Sequence, residues 1–487
     1  MIQGYDPRTG KPAGEPVPET SGADVDAAAE AAAAAAGPWA DAAPADRAAA
    51  LTAAADALDG AAAELADLAG TETALGQARL TGEVARASGQ LRLFAEVLAD
   101  GGYLDTVVSP GGGGAPELRR ANRPIGPVAV FAASNFPFAF SVAGNDTASA
   151  LAAGCPVVVK AHEGHPRTSV RTGEVVTGAL AGAGAPPGVF AVVHGVDAGV
   201  RLLRHPAIAA AGFTGSVRGG LALARICAER PVPIPFFGEL GSVNPVVILP
   251  GAAAARPDEI AAGYAASLTL GAGQFCTNPG LLFVPAGEDR LRAAIAGAVG
   301  VSAGAPMLSA RIHDGYETAV AELESRGDVT LLAEGQPGEG PWAATPKVFG
   351  LSLASFAAGL PGLGEERFGP AGLVITYDSV ADLLGVLARL RGNLAGVVHA
   401  DQASPADLAL ARDVAGVLAL RTGRVVFNGW PTGVAVTWAQ HHGGPWPAST
   451  APAYTSVGAA AIRRWLVPVA YQDFPPELLP PALRQRA

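Results

Sequence analysis

The stretch PVAVFAASNFPFAFSVAGNDTASALAAGCPVVVK, residues 127–160, decides the fold class. It predicts a short apolar strand, then a helix from Asn145, then a second strand at 156–160 that is rich in β-branched residues. Residues 189–195 and 208–215 predict two more strands, with helices between them. Strands that alternate with helices form parallel sheets through right-handed crossovers. We therefore expect an α/β protein with a doubly wound, Rossmann-like sheet.

Outside this stretch the pattern divides the chain into three further regions. Residues 24–100 are rich in Ala with charges at helical spacing, which predicts two or three helices. Residues 101–123 contain four consecutive glycines and predict an extended hairpin or arm. A second α/β region spans about 236–430, and its strand candidates are 246–250, 281–285, 373–377, 397–400 and 425–428. No G-x-G-x-x-G motif occurs, so the usual phosphate turn of a dinucleotide-binding sheet is not expected.

Composition excludes several classes of protein. The 487 residues are 49% hydrophobic and 16% charged, which is incompatible with an intrinsically disordered chain. The formal charge of −11 argues against nonspecific binding to nucleic acid, which requires clustered Lys and Arg. Three cysteines cannot form a disulfide framework and suit a reducing compartment. We expect a cytoplasmic protein without a signal peptide or a membrane span.

Four residues have the type and surroundings that chemistry requires. Cys276 lies in GAGQFCTNPG, a tight turn that would expose a thiol nucleophile, although a buried structural Cys is the alternative. Glu239 lies in the apolar PFFGELGSVNP, where desolvation would raise its pKa toward that of a general base, unless it is simply a surface residue. Asn135 and Lys160 each follow a strand, at the end of a parallel sheet where ligands bind. Asn135 is interpreted as an oxyanion donor, with a turn-forming residue as the alternative. Lys160 is interpreted as a ligand of a ribose or phosphate oxygen, with a solvated lysine at a strand end as the alternative.

Six motifs occur in an order that resembles the NAD(P)-dependent aldehyde dehydrogenase superfamily. They are SNFPFAFS, VVVKAHEGHP, FTGS, FFGELGSVNP, GQFCT and EERFGP, and together they cover nearly the whole chain. The Rossmann-like domain of that family also lacks the glycine fingerprint. The segment HHGGPWPAST (441–450) and the tail RRWLVPVAYQDFPPELLP (463–480) are most similar to the α-ketoglutaric semialdehyde (2,5-dioxovalerate) dehydrogenase branch. That branch is also similar to bacterial fatty-aldehyde dehydrogenases.

The resemblance implies a catalytic mechanism. The Cys276 thiolate would attack an aldehyde, while the Asn135 side chain and the Cys276 backbone N–H hold the oxyanion. Glu239 would then activate the water that hydrolyses the thioester. The cofactor would be NAD or NADP. The residues implied in binding it are Lys160 and Glu366 at ribose hydroxyls, Gly215 and Ser216 near the pyrophosphate, and Phe368 beside the nicotinamide.

Glu163 favours NAD over NADP. NADP-using relatives of this branch place a small or uncharged residue three positions after the lysine and an Arg after the third strand, where this chain has Glu163 and Ala198 beside Asp197. A carboxylate near the adenosine ribose can bind its 2′-hydroxyl and would repel a 2′-phosphate. We therefore expect Glu163 to belong to the cofactor site and NAD to be preferred.

The histidines do not predict a metal site. His162 and His165 have i, i+3 spacing, but no third ligand with sensible spacing is visible, so we expect no metal. His441 and His442 precede two glycines and a proline. They are interpreted as part of a loop near the substrate entrance or as structural residues.

By resemblance the chain divides into three parts. We expect a coenzyme-binding domain from 1–103 and 123–235, a catalytic domain from 236–455, and a β oligomerisation arm from 104–122 and 456–487. The arm would make a homodimer or a homotetramer. No nucleic acid or membrane partner is expected.

The favoured substrate is a small aldehyde with a distal carboxylate, α-ketoglutaric semialdehyde. Fatty or other aliphatic aldehydes are the first alternative, and a CoA-acylating enzyme or a non-catalytic coenzyme-binding paralogue is less favoured because Glu239 is present. The sequence does not identify the residue that would bind the carboxylate: Arg367, Arg463 and Arg464 remain open. Arg463, Arg464 and Trp465 are otherwise expected at a subunit interface.

Overall fold

The computed structural model describes residues 1–484 of the chain. Its strands are β1 Tyr5–Asp6, β2 Lys11–Pro12, β3 Val107–Ser109, β4 Leu118–Pro124, β5 Val128–Phe131, β6 Val157–Lys160, β7 Phe190–Val193, β8 Ala210–Thr214, β9 Phe236–Glu239, β10 Val246–Ile248, β11 Leu281–Pro285, β12 Ala305–Pro306, β13 Thr330–Glu334, β14 Ala343–Ala344, β15 Lys347–Ser352, β16 Ala371–Tyr377, β17 Asn393–His399, β18 Thr422–Phe427 and β19 Leu466–Gln472. Its α-helices are α1 Gly22–Asp41, α2 Pro44–Gly60, α3 Ala62–Thr73, α4 Gln77–Asp100, α5 Asn145–Ala153, α6 Pro166–Gly182, α7 Val196–Arg204, α8 Val217–Ala228, α9 Pro250–Ala255, α10 Pro257–Thr269, α11 Asp289–Gly300, α12 Ala310–Glu324, α13 Leu353–Ala358, α14 Val380–Leu387, α15 Pro405–Ala419 and α16 Pro481–Arg484.

The first sheet is the one that the 127–160 stretch predicts. Its five strands are parallel, in the order β7-β6-β5-β8-β9. Every side chain of β5 and β6 is buried, which explains why their sequences read as unbroken apolar runs. One apolar core lies on each face of this sheet, one containing Val130 and the other containing Ala129. The α/β fold class is therefore confirmed.

The second sheet has seven strands in the order β13-β15-β16-β11-β10-β17-β18. All neighbours are parallel except β13 and β15, which pair antiparallel at one edge. The sequence pattern predicts five of these strands, which are β16, β11, β10, β17 and β18. It misses β13 because this edge strand exposes Leu331 and Leu332 instead of burying an apolar run. It also misses the neighbouring strand β15.

The hairpin prediction for residues 101–123 is confirmed. Strands β3 and β4 pair antiparallel, and β19 from the far end of the chain pairs with β4 to form a three-stranded sheet. The interpretation of Arg464 and Trp465 as interface residues is wrong. The Arg464 guanidinium pairs with Asp146 at 2.6 Å, and the buried Trp465 indole donates to Ser149 at 2.8 Å, so both residues bind α5 inside the chain.

The Ala-rich N-terminal region contains four helices, α1 to α4, rather than two or three. The extra boundaries are marked weakly in the sequence. One is Ala43 before a proline, and another is Ala74, whose φ of 57° ends α3 in the left-handed conformation. Alanine gives no side-chain signal of these breaks. Within the described residues, no helix combines the length and the apolar composition that crossing a bilayer requires.

Candidate active site

The loop that carries Cys276 follows α10 and has an unusual backbone. Gly271, Ala272 and Gly273 all have positive φ, at 57°, 55° and 68°. A Cβ at Gly273 would lie 2.2 Å from the carbonyl carbon of Gly369, so no larger residue fits there. This compact turn places Cys276 outside the core, so its side chain is partly exposed.

Polar side chains fix this loop from both sides. The Asn244 side-chain amide donates to the Cys276 carbonyl at 2.8 Å and to the Asn278 carbonyl at 2.9 Å. On the other side, Gln274 Oε1 accepts from the backbone of Leu308 at 3.0 Å. The backbone N–H of Cys276 lies close to its own thiol. The Cys276 thiol and its backbone N–H are therefore held in place by contacts within the chain.

Glu239 lies at the carboxyl end of β9 and is 4% exposed. Its Oε2 accepts a short hydrogen bond from Ser456 Oγ. Its Oε1 lies 2.9 Å from His442 Nε2 but makes no well-oriented hydrogen bond with any described residue. That oxygen is the one that could accept a proton from a water molecule.

His442 joins this carboxylate to the thiol. Its Nε2 lies 3.7 Å from Cys276 Sγ. Its backbone is anchored by a bond from its N–H to Thr455 Oγ1 at 2.7 Å, and by a bond from the Ser456 N–H to its carbonyl at 2.8 Å. One imidazole nitrogen therefore faces both the Cys276 thiol and the Glu239 carboxylate.

The electrostatics explain why such a partner is needed. Burial raises the pKa of the Cys276 thiol well above its usual value, and the charges of Glu239 and Glu366 raise it further. At neutral pH the thiol therefore keeps its proton until a base removes it. For Glu239 the expectation of a raised pKa is wrong. Burial does raise the pKa of Glu239, but attraction to His442 and hydrogen bonds from Ser456 and Cys276 outweigh it, so the net pKa lies below the usual value.

Asn135 is positioned on the opposite side of the nucleophile loop. Its Nδ2 donates to the Gln274 backbone carbonyl at 2.9 Å, and the backbone carbonyl of Asn135 accepts from the Arg79 guanidinium at 2.8 Å. An amide nitrogen carries two hydrogens, so one remains for an oxyanion. Beside it, Phe136 packs edge-on against Phe275 at 5.3 Å between ring centroids and forms an apolar wall next to the thiol.

A cavity of about 690 Å³ opens between the two sheets on the other side of the loop. It is lined by residues that include Ser216, Gly241, Ser242, Glu366 and Asn393. Ser216 caps the N-terminus of α8, where its Oγ accepts from Gly219 N at 3.2 Å. A helix N-terminus at the edge of a parallel sheet suits a pyrophosphate.

The other candidate cofactor residues surround this cleft. Glu366 lies against Gly241, where an added Cβ would be 2.5 Å from its Oε2. Burial raises the pKa of Glu366, and a hydrogen bond from the Ser242 backbone lowers it by a smaller amount, so the pKa lies at about 7. Phe368 and Glu366 both line a smaller adjoining pocket that reaches the nucleophile loop. The Gly215 N–H donates to the Glu239 carbonyl at 3.0 Å, which joins the end of β8 to its neighbour β9 in the first sheet.

Lys160 and Glu163 form an ion pair at the end of β6. The Lys160 side chain is almost buried, whereas about a third of the Glu163 side chain is exposed. These features fit a nicotinamide dinucleotide. The helix N-terminus would attract its anionic pyrophosphate, polar groups would bind its two riboses, and an aromatic ring near the thiol would pack beside its nicotinamide.

Sequence reasoning missed the role of His442. The adjacent His441 carries the same side chain, and no local feature distinguishes the one that reaches Cys276, 166 positions earlier. The available signal was the place of both histidines after β18, at the carboxyl end of the catalytic sheet. Ligand atoms of Glu239, Cys276 and His442 all lie within 4.8 Å of one another, so this trio, not His162 and His165, has the spacing that a metal ion would accept.

Comparison with known proteins agrees with this geometry. Residues 1–449 match the model of the aldehyde dehydrogenase family. The chain is 43% identical to alpha-ketoglutaric semialdehyde dehydrogenase 2 of Azospirillum brasilense, over 99% of the chain and 93% of that protein. It is 42% identical to alpha-ketoglutaric semialdehyde dehydrogenase of Acinetobacter baylyi, over 86% of the chain and 81% of that protein.

A solved structure gives the same result at the level of the fold. Aldehyde dehydrogenase C of Pseudomonas syringae, crystallised with NAD⁺ and octanal, superimposes with a TM-score of 0.83 at 25% identity, over 98% of this chain and 94% of that one. The match covers both sheets and the cleft between them. The chain therefore belongs to the aldehyde dehydrogenase family and is an NAD(P)-dependent oxidoreductase that acts on aldehydes.

Proposed function

We propose that this enzyme oxidises α-ketoglutaric semialdehyde to α-ketoglutarate, with NAD as the preferred coenzyme. The observation that carries the reaction is the contact of His442 Nε2 with both Cys276 Sγ, at 3.7 Å, and Glu239 Oε1, at 2.9 Å. The substrate rests on two relatives of that name that are more than 40% identical over most of the chain.

The first step is formation of the nucleophile. The step starts from His442 with an unprotonated Nε2, which accepts the thiol proton, because burial and two nearby carboxylates keep Cys276 protonated on its own. The thiolate attacks the aldehyde carbon and the carbonyl π electrons move to the oxygen, giving a thiohemiacetal oxyanion. The free N–H of Asn135 and the backbone N–H of Cys276 donate to that oxygen. Each such donor contributes about 3 to 4 kcal/mol in the transition state.

The second stage is release of the acid. A bound nicotinamide would supply the hydride acceptor for this stage, so that the adduct on Cys276 becomes an acyl thioester. Glu239 Oε1 takes a proton from water, and the resulting hydroxide attacks the thioester. The carbon–sulfur bond then breaks and the thiolate of Cys276 returns. One aldehyde, one water and one oxidised coenzyme give one carboxylate, one reduced coenzyme and protons.

The coenzyme would be held by this chain's own residues at both ends. Ser216 at the N-terminus of α8 and Glu366, which both line the cleft, would hold the pyrophosphate and the nicotinamide ribose. By the family resemblance, Lys160 at the end of β6 would bind the adenosine ribose. Phe368 packs beside the nicotinamide. These roles follow the family resemblance and, for Ser216, Glu366 and Phe368, the position of each residue around the cleft.

Replacing Glu163 with Gln should raise the relative efficiency with NADP about tenfold, because it removes a charge that would repel a 2′-phosphate. The measurement is the ratio of kcat/KM for NADP to that for NAD. Glu174→Gln is the matched control, since Glu174 is an exposed partner of Arg171 on α6. An unchanged ratio in Glu163→Gln, or a wild-type enzyme that prefers NADP, would contradict the assignment.

Two other reactions are less well supported. A CoA-acylating enzyme would transfer the acyl group to CoA and would not need the buried Glu239 beside Cys276. A non-catalytic paralogue would not need to keep the contacts among Cys276, His442 and Glu239. A fatty-aldehyde substrate agrees with the apolar wall of Phe136 and Phe275 and differs from the proposal only in the remote end of the ligand.

The test of the proposed substrate is the initial rate of coenzyme reduction. Purified enzyme is given α-ketoglutaric semialdehyde, succinic semialdehyde or octanal, each with NAD and with NADP. The proposal expects the highest kcat/KM with α-ketoglutaric semialdehyde and no acyl-CoA when CoA is added. Higher efficiency with octanal would contradict the proposed substrate and favour a fatty aldehyde. No turnover with any pair of aldehyde and coenzyme would favour the non-catalytic alternative.

We further propose that the enzyme is a cytoplasmic homodimer or homotetramer assembled through the β3-β4-β19 sheet. The edge strand β18 supports an assembled state, since it leaves Val425 and Phe427 about two-fifths exposed. Three free cysteines suit a reducing compartment.

A further inference from the structure

One face of α4 meets the loop after β5 that carries Asn135. The polar residues on this face follow helical spacing and are Arg79, Glu83, Arg86 and Gln90. Three of the four are bound to the backbone of that loop. Arg79 donates to the carbonyl of residue 135 at 2.8 Å, Glu83 accepts from the N–H groups of 138 and 139 at 2.9 and 3.2 Å, and Gln90 donates to the carbonyl of 139 at 3.2 Å.

Arg86 is the exception on this face. Its guanidinium lies over the ring of Phe140, 5.6 Å from the centroid. Its Nε is buried without a hydrogen-bond partner, and within residues 1–484 the guanidinium donates no hydrogen bond and makes no ion pair within 4 Å. The nearby Glu83 already accepts two backbone hydrogen bonds and has Arg79 at 3.9 Å. A partly buried cation without a partner needs an anion to offset its desolvation.

Aromatic side chains lie between Arg86 and the nucleophile loop. A row of aromatic rings connects Arg86 to the thiol: Phe140 contacts Phe136 at 5.2 Å, and Phe136 contacts Phe275, the residue before Cys276. Burial lowers the pKa of Arg86, while Glu83, Cys276 and Glu239 act to raise it, so its charge is felt at the reacting centre.

Arg463, one of the arginines considered for this role, is exposed at the surface, and three others have partners inside the chain. Arg464 pairs with Asp146 at 2.6 Å. Arg367 donates to backbone carbonyls of its own loop. Arg424, whose pKa also responds to Cys276, donates both terminal nitrogens to the carbonyls of Pro431 and Gly433. Arg86 alone among these is partly buried and has both terminal nitrogens free.

We propose that Arg86 binds the distal carboxylate of the semialdehyde substrate and thereby sets the preference for an acidic aldehyde. The inference rests on the proposed function. In an extended five-carbon dioxo acid the carboxylate carbon lies about 5 Å from the aldehyde carbon. That is a short chain that can run along the Phe136–Phe140 wall with its aldehyde at Cys276. A guanidinium binds a carboxylate through two parallel hydrogen bonds.

The test compares Arg86→Met and Arg86→Lys with wild-type enzyme on three aldehydes of the same length. These are α-ketoglutaric semialdehyde, glutaric semialdehyde, which keeps the carboxylate and lacks the ketone, and pentanal, which has neither. The readout is kcat/KM for each acid divided by kcat/KM for pentanal. The matched control is Arg92→Met, because Arg92 lies on the same helix and pairs with Asp56 and Asp59 at the surface.

In Arg86→Met both ratios should fall about 30-fold or more, mainly through a higher KM, as expected for loss of a charge-assisted contact that forms before the chemical step. Arg86→Lys should recover part of the loss, and Arg92→Met should keep the wild-type ratios. If wild-type enzyme favours the dioxo acid and Arg86→Met retains that preference, the role of Arg86 is overturned while the proposed function stands. If wild-type enzyme favours pentanal, both are overturned.

Discussion

Replacing Glu239 with Gln is expected to let each active site reduce one coenzyme quickly and then to slow turnover by about 100- to 10,000-fold. Oxidation to the thioester needs the thiolate and the oxyanion donors, whereas hydrolysis needs a base for water. Gln keeps the size of Glu239 and its contact with Ser456 but cannot accept a proton. The acyl group should therefore remain on Cys276.

The measurement is a stopped-flow burst of reduced coenzyme followed by intact-mass analysis of the quenched protein. A burst near one equivalent per site and a mass increase by the acyl group at Cys276 are expected. Glu229→Gln, a change at an exposed glutamate that follows α8, serves as the control and should turn over steadily. Cys276→Ala should show neither a burst nor an adduct. A Glu239→Gln enzyme that loses the burst as well would exclude a role confined to hydrolysis.

The same variant tests the electrostatics of the thiol. Glu239 raises the pKa of Cys276 through its charge and its hydrogen bond, after the larger effect of burial. Removing that charge lowers the pKa of Cys276, which increases the thiolate fraction at any pH below it. Alkylation of Cys276 by iodoacetamide in the free enzyme should therefore become faster in Glu239→Gln at neutral pH. Slower alkylation would show that the carboxylate activates the thiol instead.

The local sequence was enough to select several of the residues that the structure brings together. Cys276, Glu239 and Asn135 lie at turns or strand ends, where a short window contains both the reactive group and the backbone that presents it. The same is true of β5 and β6, whose buried side chains leave an apolar run in the sequence. In each case the physical cause acts over fewer than ten residues.

Long-range contacts explain what the sequence left open or misassigned. The partner that buries Arg464 is 318 positions away at Asp146, so nothing near the tail RRWLVPVAY indicates a core rather than an interface. The lowered pKa of Glu239 depends on His442 and Ser456, more than 200 positions further along the chain. Burial alone would have raised that pKa, as the apolar window around Glu239 suggested. Arg86 gave no signal either, because its position is defined by Phe140 on a different element.

Replacing His442 with Gln should lower kcat/KM about 100-fold or more at neutral pH, because the thiol then has no neighbouring base to take its proton. Cys276 keeps a raised pKa from burial and from Glu239 and Glu366. Its thiolate fraction would therefore rise about tenfold with each pH unit below that pKa. The activity of the variant should follow this rise, so the deficit relative to wild type should shrink as the pH increases.

The control is His441→Gln, which changes the same residue type one position away and leaves the contact of Nε2 with Cys276 intact. It should stay within about twofold of wild type at every pH, as is usual for a substitution outside the reacting centre. An equal, pH-independent loss in both variants would mean that the loop needs its histidines for structure alone.

Burst kinetics separate the two halves of the reaction. In His442→Gln the burst itself should be slow, since the defect precedes attack on the aldehyde, whereas in Glu239→Gln the burst should stay fast. Loss of His442 also removes the attraction that keeps the pKa of Glu239 low, so burial raises that pKa again. The protonated fraction of Glu239, which cannot act as a base, is then larger at a given pH than in the wild-type enzyme, and it shrinks as the pH rises. Both effects have the same sign, so a His442→Gln enzyme whose activity falls with increasing pH would contradict the assignment of His442 as the base for Cys276.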